Sequence, residues 1–269
     1  MTEAGLGGGE LFGAFTLDVR DDGVGLVTFD RPPVNAVSVA VYEALGALVD
    51  RIEGGADVRV VVLTAPADAR AWCGGADLND FVGIDPDARK QRYDFINAQL
   101  PRFYAMDRPV IAAINAPAVG IGVILAALCD MRIASDAAHF SCPEIDFGLV
   151  AGGAALLALA KMPEARVREM LFTGRRFTAA ELEPSGFFNY VVPRQAVLPK
   201  ALELAAQIAV KSLPAIRARK RASTRIEGRG WVDAYLDAQR FSAALTAGDD
   251  GAEGVAAFLD KRPAAYRDK

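Results

Sequence analysis

Two short glycine-rich segments are the first places where this 269-residue chain could do chemistry: Gly74-Gly75-Ala76-Asp77 and Gly120-Ile121-Gly122. Each follows an apolar run of strand character and precedes a helical pattern. A tight turn in that setting leaves backbone N–H groups unpaired at a helix N-terminus, where the helix dipole also favours negative charge. Two such donors aimed at one point would stabilise an oxyanion. Taken singly, each segment reads first as a structural turn. Neither has the Gly-Lys-Ser/Thr ending of a phosphate-cradling loop or the glycine spacing of a dinucleotide fingerprint.

Other chemistries find little support. His139 is the only histidine, so a two-histidine metal site is excluded; with no nucleophile-elbow motif beside it, it reads as structural. The three cysteines, Cys73, Cys129 and Cys142, form no CxxC pair or metal cluster and read as buried thiols of a reducing compartment. No metal site is expected. Asp77 reads as a turn cap, and Asp130, after an apolar helix, as structural.

The elements that must position these turns follow from periodicity. Phe15, Leu17 and Val19 alternate, Asp21-Asp22-Gly23 turns, and Val24 to Phe29 returns, which predicts a hairpin closed off by Arg31-Pro32-Pro33. With Ser38 as N-cap, Val41, Leu45, Leu48 and Ile52 predict a helix to about Glu53. Val58 to Thr64 and Val110 to Ile114 read as strands buried on both faces. A polar helix is expected over 85–106, an apolar one over 120–128, short strands at 131–134, 139–141 and 191–192, and helices at 154–160, 164–171 and 179–182. Beyond Pro199 the pattern is all-helical, at 200–212, 215–226, 232–247 and 251–261. An α/β core over 14–198 with parallel pairing and a helical C-terminal subdomain over 199–269 is the organisation this predicts.

Composition sets the class. The chain is 52% apolar and 24% charged with a net charge of −4, which excludes bulk disorder and argues against a nucleic-acid binder held by general electrostatics. Val110 to Cys129 has the length of a bilayer span, but Asn115, Pro117, Gly120 and Gly122 interrupt it, so a buried strand, turn and helix are expected instead of a membrane segment. Met1-Thr2-Glu3 and the following glycines lack the basic and apolar regions of a secretory leader, and a cytoplasmic location is expected.

The two turns, in this order and context, resemble the crotonase family, also called the enoyl-CoA hydratase/isomerase superfamily. The matching residues include Asp30-Arg31-Pro32 with Val34-Asn35-Ala36, Val60 to Thr64, and Ala71-Trp72-Cys73-Gly74-Gly75-Ala76-Asp77-Leu78. They continue through Arg108 to Asn115, Cys129 to Ala134, Phe140-Ser141-Cys142-Pro143-Glu144 with Gly148-Leu149, and Glu253 to Arg262. The resemblance spans roughly residues 14 to 265. It implies a spiral of ββα units with a helical trimerisation region, assembly as a homotrimer or homohexamer, and an acyl-CoA thioester as ligand. Coenzyme A would enter as part of the substrate, with no separate cofactor.

By the same resemblance, the thioester carbonyl would sit between the N–H groups of Ala76 and Ile121, with Asp77, Leu78, Asn79, Gly120 and Gly152 lining the site. Val34, Ala36, Phe258 and Lys261 would meet coenzyme A. Hydratases of the family use two glutamates; here the first position is Ile124 and the second is Glu144. Isoleucine can neither accept a proton nor orient water. Glu144 is therefore the expected acid/base, with Asp146, two residues on, a minor alternative. One base can carry a proton between C2 and C4 of an enoyl chain, so double-bond isomerisation is favoured over hydration. A non-catalytic acyl-CoA binder is the reading from another class. The basic run Arg217, Arg219, Lys220, Arg221, Arg225 reads as a solvated helix face, which the resemblance would also allow to touch coenzyme A phosphates.

Overall fold

The computed structural model describes residues 9–81, 86–152, 161–227 and 248–265. The helices expected over 154–160 and 232–247 lie outside these residues. In chain order the strands are β1 (Glu10–Phe12), β2 (Phe15–Val19), β3 (Val24–Phe29), β4 (Val60–Thr64), β5 (Val110–Ile114), β6 (Ala118–Val119), β7 (Met131–Ser135), β8 (His139–Ser141), β9 (Phe177–Thr178) and β10 (Tyr190–Val192). The helices are α1 (Val39–Gly54), α2 (Pro86–Ala105), α3 (Ile121–Leu128), α4 (Glu164–Thr173), α5 (Ala179–Leu182), α6 (Val197–Ala209), α7 (Leu213–Glu227) and α8 (Asp249–Leu259).

Two sheets share the chain. The larger has the order β1-β2-β3-β4-β5-β7-β10 and the smaller β6-β8-β9. The β1-β2-β3 ladder is antiparallel, while β3 to β4, β4 to β5, β5 to β7 and β7 to β10 are parallel. Two single bridges, Val37 to Ala76 and Cys73 to Ala118, carry the smaller layer further. After β3, β4, β5 and β7 alike, the chain adds a short extended piece to this second layer. The structure is thus a spiral, and the glycine turns fall in its short rungs.

Alternation explains the apolar runs. Val61 and Leu63 of β4 and Val110, Ala112 and Ile114 of β5 face the main core, which α1, α2 and α3 cover. Val60, Val62, Ile111 and Ala113 face the opposite side. That side is covered by α6, whose Val197, Ala201, Ala205 and Ala209 recur every four residues and are buried against the sheet. The expected domain boundary at 198/199 falls inside this helix, so α6 is a layer of the α/β core.

Ser38 does occupy the N-cap of α1, but its side chain makes no capping bond. Asp80 does the work instead, its Oδ2 accepting from the Val39 N–H at 3.0 Å. In the basic run on α7, Arg219, Arg221 and Arg225 are exposed as expected, and Lys220 alone is buried. Lys220 is buried and bonds both oxygens of Asp130 at 2.8 Å, while Arg217 and Arg221 hold Asp107 at 2.7 and 2.8 Å. Of these three cations only Lys220 is withdrawn from solvent; Arg217 and Arg221 reach Asp107 from the solvated face. All three cysteines are buried free thiols, and burial pushes the Cys73 thiol up to about 12. No helix among the described residues is long and apolar enough to cross a membrane.

Candidate active site

The two glycine turns lie against each other. A Cβ built on Gly120 would come within 3.8 Å of the Gly75 Cα. The first turn is fixed by the bridge to Val37: the Val37 N–H donates to the Gly75 carbonyl at 2.8 Å, and the Asp77 N–H donates to the Val37 carbonyl at 2.9 Å. In such a parallel bridge the N–H of the middle residue, Ala76, points away from its partner strand. The second turn caps α3, with Gly120 at φ 54°, ψ −120° and Ile121 as the first helical residue. Its N–H has no intrahelical acceptor. Among the described residues, neither the Ala76 nor the Ile121 N–H has a hydrogen-bond acceptor.

Glu144 stands at the same point. It follows Pro143 in a single 3-10 turn, Pro143–Phe147, which Gly148 ends in the left-handed conformation. A Cβ built on Gly120 would lie 2.5 Å from Glu144 Oε1. Only glycine therefore permits both the backbone conformation at position 120 and the approach of the carboxyl group. Glu144 Oε2 is shielded from solvent and, among the described residues, lacks a hydrogen-bond partner. Burial, with the nearby Asp146 charge adding to it, raises the carboxyl from 4.5 to about 7. A carboxyl group so poised can both take and return a proton near neutrality.

These groups line one cleft of about 840 Å³. Ile124 also lines it and is buried at 3% relative exposure, so an apolar side chain stands where a second carboxylate would be needed. The cleft includes every residue expected to bind substrate: Ala76, Asp77, Leu78, Asn79, Gly120, Ile121 and Gly152. Val34, Ala36 and Phe258 line it too, whereas Lys261 is exposed on the turn after α8 and is not part of its wall. Asp77 is fully engaged: its Oδ1 accepts from Asn79 N and Nδ2 at 3.1 and 2.9 Å, and its Oδ2 meets Arg31 at 2.7 Å. Burial alone would raise its pKa, but the bonds from Arg31 and Asn79 outweigh it and hold the carboxylate below its usual range. It is a turn cap, as its position predicts.

His139, read as structural from the sequence, lines the cleft, as do Arg92 and Arg176. Burial, then the Arg176 charge, lowers the His139 pKa. Its place was hidden in the sequence because it depends on the antiparallel pairing of β8 with β9. The C-terminal helix closes the site. Phe147 and Phe258 stack edge to face with ring centres 5.1 Å apart, and a Cβ on Gly254 would fall 2.0 Å from the Phe147 carbonyl oxygen.

Sequence comparison gives the family. The enoyl-CoA hydratase/isomerase family profile matches residues 20–269, and the chain belongs to that family of acyl-CoA enzymes. It is 35% identical over 242 residues to the carnitinyl-CoA dehydratase of Proteus mirabilis, covering 88% of this chain and 92% of that one. It is 32% identical over 251 residues to the 2,3-dehydroadipyl-CoA hydratase of Escherichia coli, covering 90% and 94%. Among solved structures, an enoyl-CoA hydratase of Mycobacterium smegmatis superimposes with a TM-score of 0.75 at 28% identity, covering 94% of this chain and 98% of that one. The fold is the crotonase fold.

Proposed function

We propose that the enzyme moves a double bond in an enoyl-CoA thioester, using a single carboxylate. The Ala76 and Ile121 N–H groups hold the thioester oxygen. Glu144 takes a proton from C2 of a 3-enoyl thioester, and the electron pair spreads onto that oxygen as a dienolate. Glu144 then returns the proton to C4 while the carbonyl reforms, leaving the double bond between C2 and C3. Nothing is oxidised or reduced, and no cofactor is consumed. Stabilising the oxyanion by each N–H is worth about 3–4 kcal/mol of barrier.

The single observation that carries this reading is the pairing of a shielded Glu144, raised to about 7, with buried Ile124. The base must be ionised to act, so kcat/KM for isomerisation should rise with pH through about 7 and then level. Val34, Ala36 and Phe258 would receive coenzyme A. The enzyme would work in the cytoplasm as a trimer or hexamer, which light scattering would measure.

The hydratase and dehydratase names of the relatives favour a second reaction, water addition to a trans-2-enoyl-CoA. A paired assay separates the two by following absorbance of the conjugated thioester. A rise on adding 3-enoyl-CoA supports isomerisation. A fall on adding trans-2-enoyl-CoA means that water is added despite Ile124. Flat traces with retained acyl-CoA binding would make the protein a non-catalytic binder.

A further inference from the structure

Among the described residues three arginines line the cleft, and their surroundings differ. Arg31 is tied to Asp77 at 2.7 Å and to the Ala36 carbonyl at 2.9 Å. Arg92 is buried with its Nη2 3.4 Å from Asp80. Arg176 is exposed to the cleft, and among the described residues its guanidinium has no carboxylate, carbonyl or aromatic partner. Its neighbour Arg175 is the opposite case: it bonds Glu169 and Glu181 and lies 3.5 Å over the Phe177 ring. Successive residues of an extended chain face opposite sides. Arg175 thus takes the structural face, which leaves Arg176 to the cleft.

Contacts also fix where along the cleft Arg176 stands. Gly74 donates to the Val34 carbonyl at 2.8 Å, so the Val34 end adjoins the first glycine turn. That turn adjoins Gly120, and Gly120 adjoins Glu144. Beyond Glu144, Asp146 lies against Gly174, 2.9 Å from a Cβ built there. The β8–β9 register pairs His139 with Thr178 and Phe140 with Phe177; one further step sets Arg176 opposite Ser141. Arg176 therefore stands on the part of the cleft wall built by β8, β9 and Asp146, across the glycine turns from Val34.

We infer that the acyl group of the substrate ends in a carboxylate, and that Arg176 reads it, with the His139 ring beside it. This rests on the acyl-CoA reading and the placement of the thioester at Ala76 and Ile121. With coenzyme A at the Val34 end, an acyl chain passing Glu144 runs toward Arg176. A guanidinium there can bond a carboxylate through two parallel N–H groups, a geometry that an ammonium or an imidazole cannot match.

The test compares two six-carbon thioesters, one ending in a methyl group and one in a carboxylate, each supplied as its 2-enoyl and 3-enoyl isomers so that either reaction reports. The expected result is a kcat/KM ratio of about tenfold in favour of the carboxylate, the worth of one charge-assisted hydrogen bond. The ratio should shrink as salt rises. Arg176→Ala should bring the ratio close to one, Arg176→Glu should invert it, and Arg176→Lys should keep part of it. A wild-type ratio near one, or an unchanged ratio in Arg176→Ala, overturns the inference. Turnover of the methyl-ended thioester without preference overturns only this step, whereas neither turnover nor binding of any of the four thioesters overturns the acyl-CoA reading with it.

Discussion

Replacing Glu144 by Gln tests the proton site through stability as well as rate. The carboxyl is raised from 4.5 to about 7 in the folded chain, chiefly by burial. Between those two values the folded state binds more protons than the unfolded state. Wild-type stability must therefore fall as pH rises through that window, and stay low above it. Moving the midpoint this far costs about 3 kcal/mol once the group is ionised in both states. Glutamine is nearly isosteric and does not titrate. Its amide meets the same shielded position at every pH, so any cost of burying it shifts the level and not the slope. Urea unfolding of both proteins at fixed concentration, from pH 4 to pH 8.5, gives the difference directly. The variant should gain up to about 3 kcal/mol on the wild type between the two ends. In the same samples turnover should fall by at least about a hundredfold, the usual worth of a positioned acid/base. A difference that stays flat with pH would mean an ordinary, hydrated carboxylate, and a variant retaining most of its turnover would remove Glu144 from the reaction.

Two further substitutions probe the surroundings of that carboxylate. Gly120→Ala places a methyl 2.5 Å from Glu144 Oε1 at φ 54°, so kcat should drop by about a hundredfold or more, with the fold retained by circular dichroism. Ile124→Glu puts a second carboxylate in the cleft wall at a position only 3% exposed. It should cost about 2–4 kcal/mol in denaturant unfolding and raise the rate of water addition to trans-2-enoyl-CoA relative to isomerisation. No change in that rate ratio would refute the role given to Ile124.

Local pattern made the strands and most helices legible, because burial on two faces needs unbroken apolar runs such as Val60 to Thr64 and one-sided burial needs the spacing of Val41, Leu45, Leu48 and Ile52. The turns carrying Ala76 and Ile121 were legible for the same reason, and the resemblance added Glu144. What stayed hidden was partnership across long sequence separations. Lys220 looks like a solvated charge until Asp130, 90 residues earlier, comes beneath it. Ser38 sits where a cap belongs, yet Asp80 supplies the bond. Nothing in the sequence near His139 or Arg176 marks either as a cleft residue, since only the β8–β9 pairing brings them together. The boundary expected at 198/199 falls within α6, which has the composition of the later helices and the burial of a core layer.

Both oxygen-binding donors in the proposed reaction belong to the main chain, and this changes what variation at the site can do. An alanine scan would pass over Ile121, because the truncated residue keeps its N–H. The same tolerance lets the side chain there drift in size, trimming the acyl channel while the electrostatics stay put. Proline is the exception. Position 121 is the first residue of α3, where proline's ring fits and its missing hydrogen costs the helix nothing. That one replacement would erase a donor while sparing the turn, so proline differs in kind from the other residues at 121, which change only the shape of the cleft wall and the packing beneath it.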